Sequence, residues 1–366
     1  MTLANAREQA HLRALSQLTL NKQEPGSSAL REAFNYVSGL DADGRAELVR
    51  LADSHHVVVR ALQAVHALAA GASNTELIAW TESTLASEQN RIDNALRHLD
   101  SVCRELEGAR CPAVVIKSLD HWPDLGNDLD LFSPASERSI VRVMRTKFQA
   151  HVEPRSWGDR LANKWNFALP SLREAIEVHA QRLGQTGEHI GLACRVIERA
   201  VAREVGGYIF RVPAPEERIM IATLQRMYRH FYFRICDVLD TAALVENGVV
   251  NFAELRRSAD LGGIWPGVAT FLVIVSDYVK SYRGDSVELP HEVLAAAKFG
   301  GDRITVRSRF LRFPLIPEGA GLYGLQMRQT AVSGNLPAAL RLSLLPPLAS
   351  MAALAYRVTG SDKGIW

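Results

Sequence analysis

Cysteine is scarce in this chain. The four, Cys103, Cys111, Cys194 and Cys236 in 366 residues, are far apart and form no CxxC or CxxH pair. That spacing excludes a zinc cluster or a disulfide framework and leaves mostly buried, reduced thiols, as expected of a cytoplasmic protein. An excess of charge of one sign is missing too. Forty-two Lys and Arg against 40 Asp and Glu give a formal charge of +2, so nothing draws the chain as a whole to nucleic acid or anionic membrane. No apolar run reaches the roughly 20 residues that a membrane span needs. The most apolar late segment, 340–358, is broken by Arg341, Pro346-Pro347 and Arg357, and reads as a buried helix pair with a Pro-Pro joint. No integral membrane span is expected. Internal repeats and low-complexity tracts are absent, and Met1 to Glu8 turns polar at once, unlike an export leader.

What is present is an ordinary globular composition, 47% hydrophobic and 22% charged, with a change of character along the chain. Residues 1–110 read as helical throughout. The clearest helix starts at Ser73 with Glu76 as capping-box partner and carries Ile92, Leu96, Leu99, Cys103 and Leu106 on one face until Gly108. A separate periodic stretch holds His55, His56 and His66, expected as partly exposed helix histidines. Residues 111–182 show short β-type runs at 113–117, 128–132, 150–153, 165–169 and 175–180. One helix is expected from Pro134 to Lys147, with Ser133 as N-cap. Residues 183–366 return to helices, with long amphipathic runs at 189–204 and 215–247, a helix capped by Asn251, another over 265–282, and a β-like piece near 303–313. The expected fold class is α+β: a minimal mixed sheet embedded between predominantly α-helical N- and C-terminal regions.

The chemistry concentrates in Val114-Val115-Ile116-Lys117-Ser118 and, ten residues on, Asp128-Leu129-Asp130-Leu131-Phe132. Strand alternation puts Asp128 and Asp130 on one face and Leu129 and Leu131 on the other. Two adjacent carboxylates repel unless a cation lies between them, and Mg²⁺ is the natural one, held by one or two carboxylates plus substrate phosphates. Glu177, in a later strand-like run, is the expected third carboxylate, with Glu153 and Glu174 as alternatives. His179 falls on the same face as Glu177.

These segments resemble the signature of the DNA polymerase beta-like nucleotidyltransferase superfamily, a Gly-Ser at a strand end followed by an acidic-apolar-acidic strand. More narrowly, Ile116-Lys117-Ser118…Asp128-Leu129-Asp130 resembles an uncharacterised bacterial nucleotidyltransferase family with Lys-Gly before its Asp-x-Asp. Ile176-Glu177-Val178-His179 is similar to that family's later acidic-x-His strand. Arg234-Ile235-Cys236-Asp237, followed by Val250 to Leu255, resembles its helical region. The resemblance implies one or two Mg²⁺ ions at Asp128, Asp130 and Glu177. It also implies a nucleoside triphosphate (NTP) substrate held by Lys117 and Ser118, with Asn127 and His179 nearby, and release of pyrophosphate. The acceptor is left open, a small molecule, peptide or protein being favoured over nucleic acid.

The chain departs from that pattern at one point. Lys117-Ser118 carries no glycine, where glycine would let the backbone approach a triphosphate without a Cβ in the way. A catalytically degenerate nucleotidyltransferase-like binding or scaffold protein is therefore the alternative. Tyr228, Phe231, Tyr232 and Phe233 beside Arg226, Arg229 and His230 form an aromatic-basic patch that can stack a base, although part of it must be core at helical spacing.

Overall fold

The computed structural model describes residues 3–21, 27–307, 309–348 and 350–351. The chain opens with helices α1 (Leu3–Leu20), α2 (Ser28–Ser38), α3 (Ala42–Ser54), α4 (Val58–Gly71) and the 34-residue α5 (Thr75–Gly108). Then come β1 (Val114–Val115), a 3-10 turn over Ser118–His121, β2 (Asp128–Ser133), α6 (Glu137–Phe148) and β3 (His151–Val152). The short α7 (Trp157–Ala162) leads to β4 (Lys164–Ala168) and β5 (Ala175–Ala180). Next are α8 (Ile190–Glu198), the β6–β7 hairpin (Val201–Val205 and Tyr208–Val212), α9 (Pro215–Gln225), a π-helical turn over Arg226–His230, and β8 (Tyr232–Phe233). The rest is α10 (Ile235–Glu246), α11 (Phe252–Leu261), α12 (Trp265–Arg283), α13 (His291–Ala296), β9 (Thr305–Arg307), β10 (Phe310–Arg312), α14 (Ala320–Val332) and α15 (Leu336–Leu342). The fold is α+β, as expected.

A five-stranded mixed sheet in the order β1-β2-β5-β4-β3 positions the acidic residues. Its centre is parallel, with Leu129 beside Ile176, Asp130 beside Glu177 and Phe132 beside His179. One face of the β2–β5 pair is apolar. Leu129, Leu131, Ile176 and Val178 bury there against Ile92, Leu96 and Leu99 of α5 and Ile140 and Met144 of α6. A slip of one residue would put Asp128 and Asp130 into that core and Leu129 and Leu131 into the cleft. Each buried leucine contributes roughly 2 kcal/mol, so hydrophobic burial fixes the carboxylate face.

Several elements differ from the sequence expectation. Helix α6 starts at Glu137 with Ser136 as N-cap, not at Pro134, because the Ser136 hydroxyl accepts the Ser139 N–H. Helix α5 starts at Thr75 with Asn74 as its cap, while Ser73 turns the chain at φ 54°. The run at 189–204 is a helix only to Glu198 and then a hairpin, whose turn is Gly206-Gly207 at φ 58° and 81°. The run at 215–247 breaks at the π turn and at Phe231 (φ 54°), which sends residues 232–233 into a small sheet with β10. His55 and His56 are buried rather than partly exposed, and Cys194 is exposed. In the segment 340–358, Leu340 is 70% exposed, so it is not a buried helix pair; residues 352–358 lie outside the described residues.

The cores also divide the chain differently from the expected boundaries at 110 and 182. One core joins α1–α4 to α9–α12, with Leu15, Val37 and Leu62 in the same cluster as Phe233, Phe271 and Val275. The second joins α5 to the sheet and to the β6–β7 hairpin. Among the described residues no helix is long and apolar enough to cross a membrane.

Candidate functional site

The 3-10 turn and β2 meet through Ser118. Its hydroxyl donates to the Asp128 carbonyl (3.1 Å) and accepts the Asp130 N–H (2.7 Å). The Ser118 N–H in turn donates to the Ile116 carbonyl at 2.6 Å, closing a three-residue turn with Lys117 at φ 62°, ψ −59°. That conformation is the rare γ-turn, strained for a residue with a Cβ. Lys117 thus stands at the position where glycine would be free of strain, and Ser118 locks the strand instead of presenting a free hydroxyl.

The strain aims the Lys117 ammonium inward. It lies 2.5 Å from Asp130 and 3.7 Å from Glu177. Lys164, at the start of β4, is 2.6 Å from the other Glu177 oxygen and 3.3 Å from Asp159. His179 Nε2 donates to Glu177 at 2.8 Å and lies 3.8 Å from Asp130. Burial would raise the Glu177 carboxyl, but Lys117, His179 and Lys164 outweigh it and hold it well below the usual carboxylate range. Asp128 behaves in the opposite way. Burial first, then the charges of Asp130 and Glu177, push its carboxyl up to about 6 against the weaker pull of the two lysines.

The three candidate glutamates lie in different places. Glu174 is buried in an ion pair with Arg91 of α5, whose guanidinium also donates to the Leu125 carbonyl and so braces the loop ahead of β2. Glu153 is exposed at the far strand. Glu177 alone of the three sits beside Asp130. Asn127 is exposed at the rim of the same cleft.

This cleft, about 200 Å³, has a second wall that is cationic. The π turn supplies Arg226, Arg229 and His230, and the residue ahead of α10 supplies Arg234. Arg226, 1% exposed, pairs with Asp237 at 2.7 Å. Arg234 meets Asp237 through its backbone N–H (2.7 Å), while its guanidinium contacts His56. Of the aromatic patch, Phe233 is core, Tyr228 packs against Gly267, and Tyr232 remains in the cleft, stacked on Phe310 at 4.3 Å. Trp157 is 63% exposed, outside the cleft lining.

Behind the cleft floor lies a buried polar group. The His121 ring contacts Asp240 through Nδ1 (2.5 Å) and the Cys236 sulfur through Nε2 (3.9 Å), while Arg60 bridges Asp240 and Asp124 at 2.8 Å each. Cys236 and Asp240 are one turn apart on α10, a spacing visible in the sequence. Their partners His121 and Arg60, like Lys164 at the acidic group, carry no local signal and were missed.

Asp130, Glu177 and His179 present ligand atoms within 4.8 Å of one another. The two carboxylates suit a hard divalent cation, with a third carboxylate, Asp128, lining the same cleft, while His179 Nε2 is engaged by Glu177. Comparison of the chain with family profiles, with curated proteins and with solved structures finds no match.

Proposed function

We propose that this protein is a Mg²⁺-dependent nucleotidyltransferase of the DNA polymerase beta-like type, moving a nucleoside monophosphate from an NTP to an acceptor. The observation that carries this reading is the parallel pairing of Asp130 with Glu177, which sets a third carboxylate beside the Asp-x-Asp pair in a polar cleft. Asp128, Asp130 and Glu177 would hold the metal, which would neutralise charge on the triphosphate and polarise the α-phosphorus.

In the transfer, an acceptor oxygen or nitrogen bonds to the α-phosphorus. The bond to the bridging α–β oxygen breaks, and pyrophosphate leaves. The acceptor's proton goes to a carboxylate. Glu177, held ionised by two lysines and a histidine, is a poor base and serves to hold charge.

One observation favours a second reading, a nucleotide-binding protein without turnover. The Lys117 ammonium lies on Asp130, where it competes with a metal. Calorimetric titration of Mg²⁺ with each NTP, followed by pyrophosphate release with candidate acceptors, separates the two. The wild type is expected to bind Mg–NTP and Asp128→Ala/Asp130→Ala to lose that binding; a wild type that binds no NTP refutes both. Lys117→Gly is expected to tighten Mg²⁺ binding severalfold. If the wild type binds NTP without pyrophosphate release and Lys117→Gly gains release, the non-catalytic reading stands.

A further inference from the structure

The arginine wall has more positive charge than the fold uses. Several buried or half-buried arginines elsewhere are committed to carboxylates: Arg60 to Asp124 and Asp240, Arg91 to Glu88 and Glu174, Arg195 and Arg199 to Glu217, and Arg218 to Asp120. Arg229 and Arg234 line the cleft and, among the described residues, form no ion pair with a carboxylate. Arg226 contacts Asp237 as an ion pair through Nε, yet among the described residues neither its buried Nε nor its buried Nη1 has a hydrogen-bond acceptor of good geometry, and neither has Arg234 Nε. Buried guanidinium N–H groups without acceptors cost free energy unless a ligand completes them.

The neighbouring histidines respond to the same field. His230 and His56 are both held well below 6.5, by burial first and then by nearby cationic groups, the arginines among them, so both rings stay neutral beside the arginines. Meanwhile the turn at residues 117–118 is spent: the Ser118 hydroxyl holds β2 and the Lys117 ammonium holds Asp130. The π turn itself is a wide turn of the kind that recurs at functional sites, and it sets Arg226, Arg229 and His230 on one side.

We propose that Arg229 and Arg234, backed by Arg226, form a polyphosphate seat that takes the β- and γ-phosphates of the nucleotide in place of the Lys117-Ser118 turn. This assignment rests on the nucleotidyl-transfer reading for the identity of the ligand, but the seat is defined by its own residues. Planar guanidinium forks suit phosphate oxygens, each contact being a charge-assisted hydrogen bond. The acidic wall then faces the α-phosphate end, and pyrophosphate, once formed, rests on the arginines.

Inorganic tripolyphosphate is the probe, titrated calorimetrically into the full chain in EDTA, so that neither metal nor base contributes. The wild type is expected to bind it. Arg229→Gln and Arg234→Gln are expected to weaken binding by about tenfold or more each, the weight of one charge-assisted contact. Asp128→Ala and the exposed control Arg138→Gln are expected to leave binding at least as tight. Among the described residues Arg229 has no hydrogen-bond or ion-pair partner, so its substitution is expected to keep the melting temperature and to read binding alone, even if Arg234→Gln fails to fold. A wild type that ignores tripolyphosphate, or an Arg229→Gln protein that binds it as the wild type does, overturns the seat. Tripolyphosphate binding without Mg–NTP binding retains the seat and refutes nucleotidyl transfer. Mg–NTP binding that Arg229→Gln leaves unchanged does the reverse.

Discussion

Asp128 concentrates the electrostatic problem of this site in one side chain. Its carboxyl, at 3.8 in the ordinary case, is pushed up to about 6 by burial and by Asp130 and Glu177. The folded protein therefore binds that proton more tightly than the unfolded chain does. The resulting stability is fully present below pH 3.8 and is lost as pH rises through about 6. Although Asp128 lies deep in the cleft, its own side chain still reaches solvent, which screens its charge, so Asp128→Asn is expected to stabilise the metal-free protein at pH 7.5 by only roughly 1 kcal/mol. At pH 4 it is expected to change little. Urea unfolding in EDTA at the two pH values checks this, and an equal effect at both would sink the electrostatic account. Alternation alone was enough to put Asp128 and Asp130 on one face of their strand and Glu177 and His179 on one face of theirs. It could not reveal Lys164, whose ammonium reaches Glu177 from an antiparallel neighbour, because register between strands is decided by packing.

At the scale of elements, the loop between the 3-10 turn and β2 does two jobs. Asp124, 1% exposed, accepts from the Val59 N–H at 2.6 Å and from Arg60 Nε at 2.8 Å. Helix α4, whose own N-cap Val57 offers no side-chain acceptor, is thus capped from 65 residues away. Asp124→Ala is expected to cost about 3 kcal/mol, since it strands a buried guanidinium as well as the helix N-terminus. Chemical denaturation measures it, and a loss below about 1 kcal/mol would show that the cap is not holding the helix. Of the two helical runs that the fold interrupts, one is broken by a local signal and the other by a distant pairing. Gly206-Gly207 between alternating residues is a hairpin signal that the helical periodicity of 189–204 masked. The π turn has no such signature: α9 runs on in pattern, and only the pairing of residues 232–233 with 311–312 breaks it.

For the whole molecule, the sheet region is not a free-standing unit. Its apolar face is covered by α5 from one side of the chain and by Val205, Phe210 and Val212 from the other, while α1–α4 and α9–α12 close around a common core. A fragment of residues 111–182 would expose Leu129, Leu131, Ile176 and Val178, so it is expected to be unfolded or aggregated by circular dichroism and size exclusion. A fragment with a cooperative thermal transition would refute this dependence.

The strand runs at 128–132 and 175–180, the helical flanks and the alternating acidic residues are legible in the chain alone, because each follows from periodicities of two or 3.6 residues within one segment. Only the tertiary structure decided which glutamate joins Asp130, that Lys117 occupies a strained turn, and that the arginines of the π turn face the carboxylates. Those facts depend on strand register, on backbone dihedrals and on the closure of distant segments around shared cores, and none of them leaves a periodic trace along the chain.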